Sequence, residues 1–174
     1  RPRTGRIDHA GARETTGMRI GQGYDAHRFG QGDHIILGGV EIPFDKGLAA
    51  HSDGDVLLHA ICDALLGAVA LGDIGSHFPD SDPGLKDVSS RDLLRRVTEL
   101  LREAGYALCN IDATVIAEQP RISPFVRAMR ENIAADTGLA IDAISIKATT
   151  TERMGFTGRG EGIAASAVCM VEAV

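Results

Sequence analysis

Tryptophan is absent from the 174 residues and aromatic side chains make up only 4%, too few for the stacking platforms that hold single-stranded nucleic acid. Positive charge is scarce too. Lys and Arg number 18 against 24 Asp and Glu, for a net charge of -6, so neither nucleic acid nor a membrane surface is an expected partner. A small phosphorylated ligand remains open, because a local cluster of donors or a metal overrides the global sign. The three cysteines, Cys62, Cys109 and Cys169, are odd in number and form no Cys-x-x-Cys pair. This speaks against a disulfide framework or thiolate zinc site and for buried thiols in a reducing, cytoplasmic compartment. No stretch reaches the roughly 18 uninterrupted apolar residues of a membrane span. Residues 1–17 lack the apolar centre of a secretory signal and carry Asp8 and Glu14 but no serine, a poor match to a transit peptide. They are expected to be a disordered leader or cloning remnant, with residues 18–174 forming a single domain.

What the chain does have is a long helical pattern from Ser52 to Ala70. Val56, Leu57, Ile61, Ala64, Leu65, Ala68 and Val69 recur at helical spacing and predict an amphipathic helix, with Ser52 or Asp53 as its N-cap. Asp55, His59 and Asp63 then stack at i, i+4 and i+8 in one polar stripe. Before it, Met18 to Phe29 reads as a strand with Gly21 and Gly23 marking a close backbone approach or a bend. A second strand is expected at His34–Gly38, with a short continuation at Val40–Phe44. After it come a long loop over 73–84, a helix opened by Ser89 and closed by Gly105, and a strand at Tyr106–Ala117. A third helix starts at Ser123-Pro124, and strands follow at 143–148 and 163–171 around a glycine-rich turn at Gly155–Gly162. Strands interleaved with three main helices predict an α/β (α+β) two-layer sandwich, the helices covering one face of a mixed sheet.

Asp25 and His27, two apart on a strand, project from one face, and His59 lies on a helix able to pack over that face. Together they offer one carboxylate and two imidazoles, three metal ligands with a place left for water or substrate, and Asp63 is positioned to accept the second N–H of His59. Two alternatives stand beside this: a surface Asp–His pair with a hydrogen-bonded core histidine, and the two-His, one-carboxylate triad of non-haem iron enzymes. Lys147-Ala-Thr-Thr-Thr-Glu152 places hydroxyls, amides and a carboxylate at a strand end, suited to phosphate oxygens and a magnesium ion, or simply to β-propensity. Arg159 and Glu161 are expected to form a compact ion pair. No Ser–His–Asp or Cys–His arrangement is evident.

Four stretches closely resemble, in the same order, the 2-C-methyl-D-erythritol 2,4-cyclodiphosphate synthase family: GYDAH (Gly23–His27), AHSDGDVLLHAICDALLGA (Ala50–Ala68), GDIGSHFPDSDP (Gly72–Pro83) and KATTTERMGFTGRGEGIA (Lys147–Ala164). The resemblance runs from Met18 to the C-terminus. It implies cyclisation of 4-diphosphocytidyl-2-C-methyl-D-erythritol 2-phosphate with release of CMP, a phosphorus–oxygen lyase reaction of the non-mevalonate isoprenoid pathway. It implies a homotrimer with active sites between subunits. Zinc, one per subunit, falls on Asp25, His27 and His59, and magnesium or manganese bridging the diphosphate on Glu152. His51 and Thr150 correspond to the residues credited with transition-state stabilisation. Substrate contacts fall on Asp25, Ala26 and His27, and on His51 and Ser52. The methylerythritol phosphate end is lined by Asp73, Ile74 and Gly75, then by Phe78, Pro79, Asp80, Ser81 and Asp82. The cytidine turn is Ala117, Glu118, Gln119 and Pro120 followed by Arg121, Ile122 and Ser123; Thr149, Thr150, Thr151 and Glu152 hold the diphosphate, with Phe156 and Arg159 beside it. Gln22 and Arg121 depart from residues that other members can carry there, His and Lys.

A phosphomonoester is already largely anionic at neutral pH, so the implied attack needs no general base and reduces to positioning and charge neutralisation. Two other classes compete: a metal-holding protein that binds isoprenoid diphosphates without turnover, and an iron oxygenase.

Overall fold

The computed structural model describes residues 17–50, 52–79 and 88–174. In chain order the strand β1 (Met18–Gly30) is followed by the hairpin strands β2 (His34–Leu37) and β3 (Val40–Pro43) and the short β4 (Gly47–Leu48). Helix α1 (Val56–Ala68), the single-turn α2 (Ile74–His77) and helix α3 (Ser90–Glu103) come next. Then come β5 (Tyr106–Ile116), α4 (Val126–Thr137), β6 (Ile144–Thr149), the single turn α5 (Gly155–Gly158) and β7 (Gly162–Ala173). The main sheet has the order β4-β1-β7-β5-β6, with only β5 and β6 parallel. It is the expected mixed sheet, and α1, α3 and α4 pack on one face of it.

Alternation makes that face. Ile163, Ala165, Ala167, Cys169 and Val171 of β7, Ile111, Ala113 and Val115 of β5, and Ile144 and Ile146 of β6 are all buried, the period-2 signature of a sheet covered on one side. On β1 the corresponding positions are glycines. A Cβ on Gly21 would lie 1.8 Å from the carbonyl oxygen of Ala64, and one on Gly23 2.0 Å from that of Ala60. The bare strand therefore lets α1 settle directly onto its backbone. Gly23→Ala is expected to destabilise the fold by about 3 kcal/mol, since neither backbone can yield without the other. In a thermal melt that corresponds to a drop of roughly 10 °C, while the exposed neighbour Gln22→Ala should change it little.

Several local details differ from the sequence expectations. α1 is not amphipathic: of its residues only Asp63 and Gly67 are not buried, because the sheet, α3 and the hairpin surround it. Its N-cap is Asp55 rather than Ser52 or Asp53. The Asp55 carboxylate is fully buried and accepts from Leu58 N–H at 3.0 Å and from the hairpin amides of Gly38 and Gly39 at 3.0 and 2.7 Å. Burial pushes its pKa up to about 6 against those three donors. Val40–Pro43 does not continue β2 but pairs back on it as a separate two-stranded sheet, the turn made by Gly38 and Gly39 at φ +57° and +68°. The third helix opens with a 3₁₀ turn at Ser123–Phe125 before α4 begins. Cys62 and Cys169 are buried free thiols, whereas Cys109 is half-buried. Among the described residues no helix is long and apolar enough to cross a membrane.

Candidate active site

The contacts of Gly21 with Ala64 and Gly23 with Ala60 show α1 running antiparallel to β1. Asp25 and His27 share the strand face of those glycines, so they emerge next, beside the first turns of the helix where His59 lies. Asp25 Oδ2 stands 3.0 Å from His59 Nδ1 and 3.1 Å from His27 Nε2, and the two ring nitrogens are 3.3 Å apart. All three residues present one ligand atom to a common point. Tetrahedral coordination with metal–nitrogen bonds near 2.0–2.1 Å requires ligand atoms about 3.3 Å apart. The observed triangle fits that spacing without rearrangement. Asp25 and His27 are partly open to solvent and His59 is buried, leaving one side of the triangle accessible.

The electrostatics of the triangle suit a cation. Burial disfavours charge on Asp25, yet hydrogen bonds from His27 and His59 hold its carboxyl well below the usual carboxylate range. For His59, burial opposes protonation, but the hydrogen bond and charge of Asp25 prevail and raise its pKa. The second oxygen of Asp25 accepts from Ala26 N–H at 2.9 Å, fixing the carboxylate plane.

On its far side the His59 ring departs from expectation. Asp63 does not touch it; its carboxylate accepts from Ile74 N–H at 2.8 Å. Instead Nε2 faces Ser90 Oγ at 2.9 Å, with Ser52 Oγ at 3.5 Å. Asp53 receives both the hydroxyl of Ser90 and, at 2.9 Å, its backbone N–H. Ser90, His59 and Asp25 thus have the connectivity of a Ser–His–Asp triad, which the linear sequence did not disclose. It cannot act as one, because Ser90 is fully buried and its proton is committed to Asp53. The sequence signal for Ser90 was the serine pair opening α3; Ser89 takes the cap, accepting from Arg91 N–H, and Ser90 turns inward.

Asp73 caps α2 through Ser76 N–H at 2.8 Å, and with Asp63 on Ile74 the segment Asp73–Gly75 is tied to α1. Phe78 packs against the core and Pro79 is exposed. His51, Asp80, Ser81 and Asp82 lie outside the described residues.

The turn over 117–123 and the segment Thr149–Glu152 gather at the opposite end of the sheet row, whereas the turn carrying Phe156 and Arg159 runs back to β1, where Phe29 N–H donates to Glu161 O at 2.9 Å. Asp25 pairs with Ala165, Ala165 with Val115, and Val115 with Ala148, so the point where Thr149–Glu152 leaves the sheet is three strands from Asp25, roughly 14 Å at ordinary strand spacing. Ala117 N–H donates to Thr149 O at 3.0 Å, joining the turn over 117–123 to this segment. Within that turn the Gln119–Pro120 bond is cis, Arg121 donates to Ser123 Oγ at 3.0 Å, and Ile122 is buried. Glu152 and Arg153 both adopt left-handed backbone, at φ +52° and +63°, a conformation costing L-residues on the order of 1 kcal/mol or more each. One carboxylate oxygen of Glu118 holds them there, accepting from Thr151 N–H at 3.2 Å and Arg153 N–H at 3.1 Å. Thr150 Oγ1 donates to Glu152 at 3.2 Å. Phe156 is exposed on α5, and Arg159 pairs with Glu161 at 2.6 Å. In Glu118→Ala, the Thr151 and Arg153 amides should lose roughly ten-fold or more of their hydrogen-exchange protection, with protection in β7 unchanged.

The model of the YgbB family matches residues 18–172. The chain belongs to the YgbB family. Curated relatives include the "2-C-methyl-D-erythritol 2,4-cyclodiphosphate synthase" of Thioalkalivibrio sulfidiphilus, 62% identical over 155 residues, which are 89% of this chain and 97% of that protein. The protein of the same name from Ectopseudomonas mendocina is 63% identical over 154 residues, 88% of this chain and 98% of its own. Among solved structures, the Plasmodium falciparum IspF in a CDP complex superposes with a TM-score of 0.80 at 33% identity, covering 92% of this chain and 99% of that one. The bifunctional IspDF of Campylobacter jejuni matches with a TM-score of 0.87 at 44% identity over 90% of this YgbB-family chain, which spans 42% of that longer protein.

Proposed function

We propose that this chain converts 4-diphosphocytidyl-2-C-methyl-D-erythritol 2-phosphate to 2-C-methyl-D-erythritol 2,4-cyclodiphosphate with release of CMP, as a cyclising phosphorus–oxygen lyase of isoprenoid synthesis. The observation that carries the proposal is the Asp25–His27–His59 triangle, whose edges of 3.0, 3.1 and 3.3 Å match a tetrahedral metal shell. The names of the curated relatives and the CDP bound to the Plasmodium protein supply the substrate class.

Zinc is the metal we assign to the triangle, and magnesium or manganese the metal for Glu152. Held by Asp25, His27 and His59, zinc would supply Lewis-acid charge to neutralise a phosphoryl oxygen. The chain's own residues do the rest. An oxygen of the 2-phosphate attacks the β-phosphorus, and the bond from that phosphorus to the bridging oxygen breaks, so CMP leaves with the bridging oxygen. The nucleophile is anionic at neutral pH and asks for no base. Thr149–Glu152 and the turn over 117–123 hold the diphosphate and cytidine, while Asp73–Gly75 and Phe78–Asp82 enclose the other end, His51 and Thr150 stabilising the charge that develops. Holding the two phosphates in line contributes on the order of 7–11 kcal/mol of the barrier reduction, and shielding from water prevents hydrolysis.

One diphosphate cannot touch Asp25 and Thr149–Glu152 of the same chain across roughly 14 Å. We therefore assign the complete site to two copies in a homotrimer, the metal triangle from one and the Thr–Glu loop from the next. The sheet face away from the helices supports this: Ile20 is 72%, Tyr24 52% and Val168 44% exposed, an apolar surface that a partner copy would cover. Its buried free thiols suit a cytoplasmic setting. The test is phosphorus NMR of the protein incubated with the CDP-substrate, zinc and magnesium. Appearance of the cyclic diphosphate with equimolar CMP is expected; linear hydrolysis products, or binding without turnover, would refute the proposal.

A further inference from the structure

We propose that Ser90 and Asp53 are a positioning relay that sets the tautomer of His59 and thereby its competence as a metal ligand. The inference rests on the metal reading of the Asp25–His27–His59 triangle and concerns the opposite edge of the ring. Ser90 Oγ stands between a carboxylate oxygen of Asp53 and His59 Nε2, the latter at 2.9 Å. A hydroxyl has one proton, and an ionised carboxylate can only accept. The Ser90 proton therefore goes to Asp53, and Ser90 must accept from His59. That holds hydrogen on Nε2, while in the metal-free ring Nδ1 donates to Asp25. The proton a cation displaces is then the one on Nδ1, inside the triangle; with hydrogen on Nδ1 alone and the lone pair on Nε2, the ring would present no free ligand atom to the cation.

The direction of the relay is itself fixed by backbone. Asp53 Oδ2 accepts the Ser90 backbone N–H at 2.9 Å, and Oδ1 also takes Asp55 N–H at 3.2 Å. The carboxylate is thus clamped across the first residue of α3 on one side and the start of α1 on the other. Ser90 is fully buried, so water does not substitute for its hydroxyl. The only other oxygen near Nε2 among the described residues, Ser52 Oγ at 3.5 Å, is at the limit of a hydrogen bond and accepts from Gly54 N–H.

Two variants separate the relay from mere packing. Ser90→Ala removes the acceptor. Asp53→Asn keeps the shape but leaves one acceptor oxygen for the three donors that converge there: whichever way the amide turns, its NH₂ meets the backbone N–H of Ser90 or of Asp55, and the clamp that directs the Ser90 hydroxyl away from His59 is loosened. The full-length protein, stripped of metal, is titrated with zinc against a chelator of known affinity. Both variants are expected to bind zinc about 10–100-fold more weakly than the unaltered protein. Long-range proton–nitrogen NMR of the metal-free His59 ring should show hydrogen on Nε2 in the unaltered protein and on Nδ1 alone in Ser90→Ala. Zinc affinities within two-fold of the unaltered protein, or hydrogen retained on Nε2 in Ser90→Ala, would overturn the relay. An unaltered protein that takes up no zinc would instead remove the metal reading, and the relay with it.

Discussion

His59→Ala is expected to emerge from purification without zinc and nearly without activity. Structural zinc sites with four ligands bind with apparent energies of about 10–16 kcal/mol, or on the order of 3 kcal/mol per ligand. Losing one ligand from three should therefore weaken zinc by at least a hundred-fold. Without that charge on the phosphoryl oxygens, turnover should fall by on the order of 10³. Because His59 is buried and hydrogen-bonded to Ser90, a poorly folded variant could mimic the result. His27→Ala settles the matter, since His27 is part-exposed and its loss leaves the core intact. Metal analysis by mass spectrometry, with circular dichroism as the control, reads both. Stoichiometric zinc in either variant would contradict the ligand assignment. Glu152→Gln is the contrast: it should keep its zinc and need more magnesium.

Two inactive variants are expected to restore each other. If the metal triangle of one copy works with the Thr–Glu loop of the next, His59→Ala chains and Thr150→Ala chains mixed in one trimer rebuild intact sites from their undamaged halves. In a closed ring each site draws once from either neighbour, so random assembly of equal amounts should recover about one quarter of normal activity. The experiment requires dissociating and reassociating the two proteins together, or co-expressing them, and then assaying CMP release. Activity no higher than the sum of the two separate variants would place both halves of the site in one chain. The sheet register would then have to be reconciled with a substrate stretched over three strands.

The grouping of Asp25, His27 and His59, which could hold a metal ion, was legible in the sequence because it rests on two regular periods. Asp25 and His27 two apart on a strand, and His59 one turn into a helix, are placed by periodicity alone once strand and helix pack. The relay behind His59 was not legible, because Ser90 meets it across 31 residues and nothing in the spacing says which of two adjacent serines turns inward. The polar stripe Asp55–His59–Asp63 misled for the same reason. Helical spacing puts the three on one side, but Asp55 is drawn down by the hairpin amides and Asp63 is claimed by Ile74. Both outcomes depend on long-range partners. Likewise Glu118 offered no local sign that its carboxylate would clamp two left-handed residues over thirty positions away. The mixed sheet and its three main helices, by contrast, followed from patterns contained within each element.

Along β1 a single row of alternate positions changes its task part-way, from Gly21 and Gly23 under the helix to Asp25 and His27 in the group that could hold a metal ion. The strand works as a ruler with two-residue graduations. Inserting or deleting one residue between Gly23 and Asp25 would leave the seam seated and every ladder bond available, yet would present both ligands to the apolar side of the sheet. The proposed chemistry is thus tied to the parity of a strand, and evolution can lengthen that strand there only by even steps.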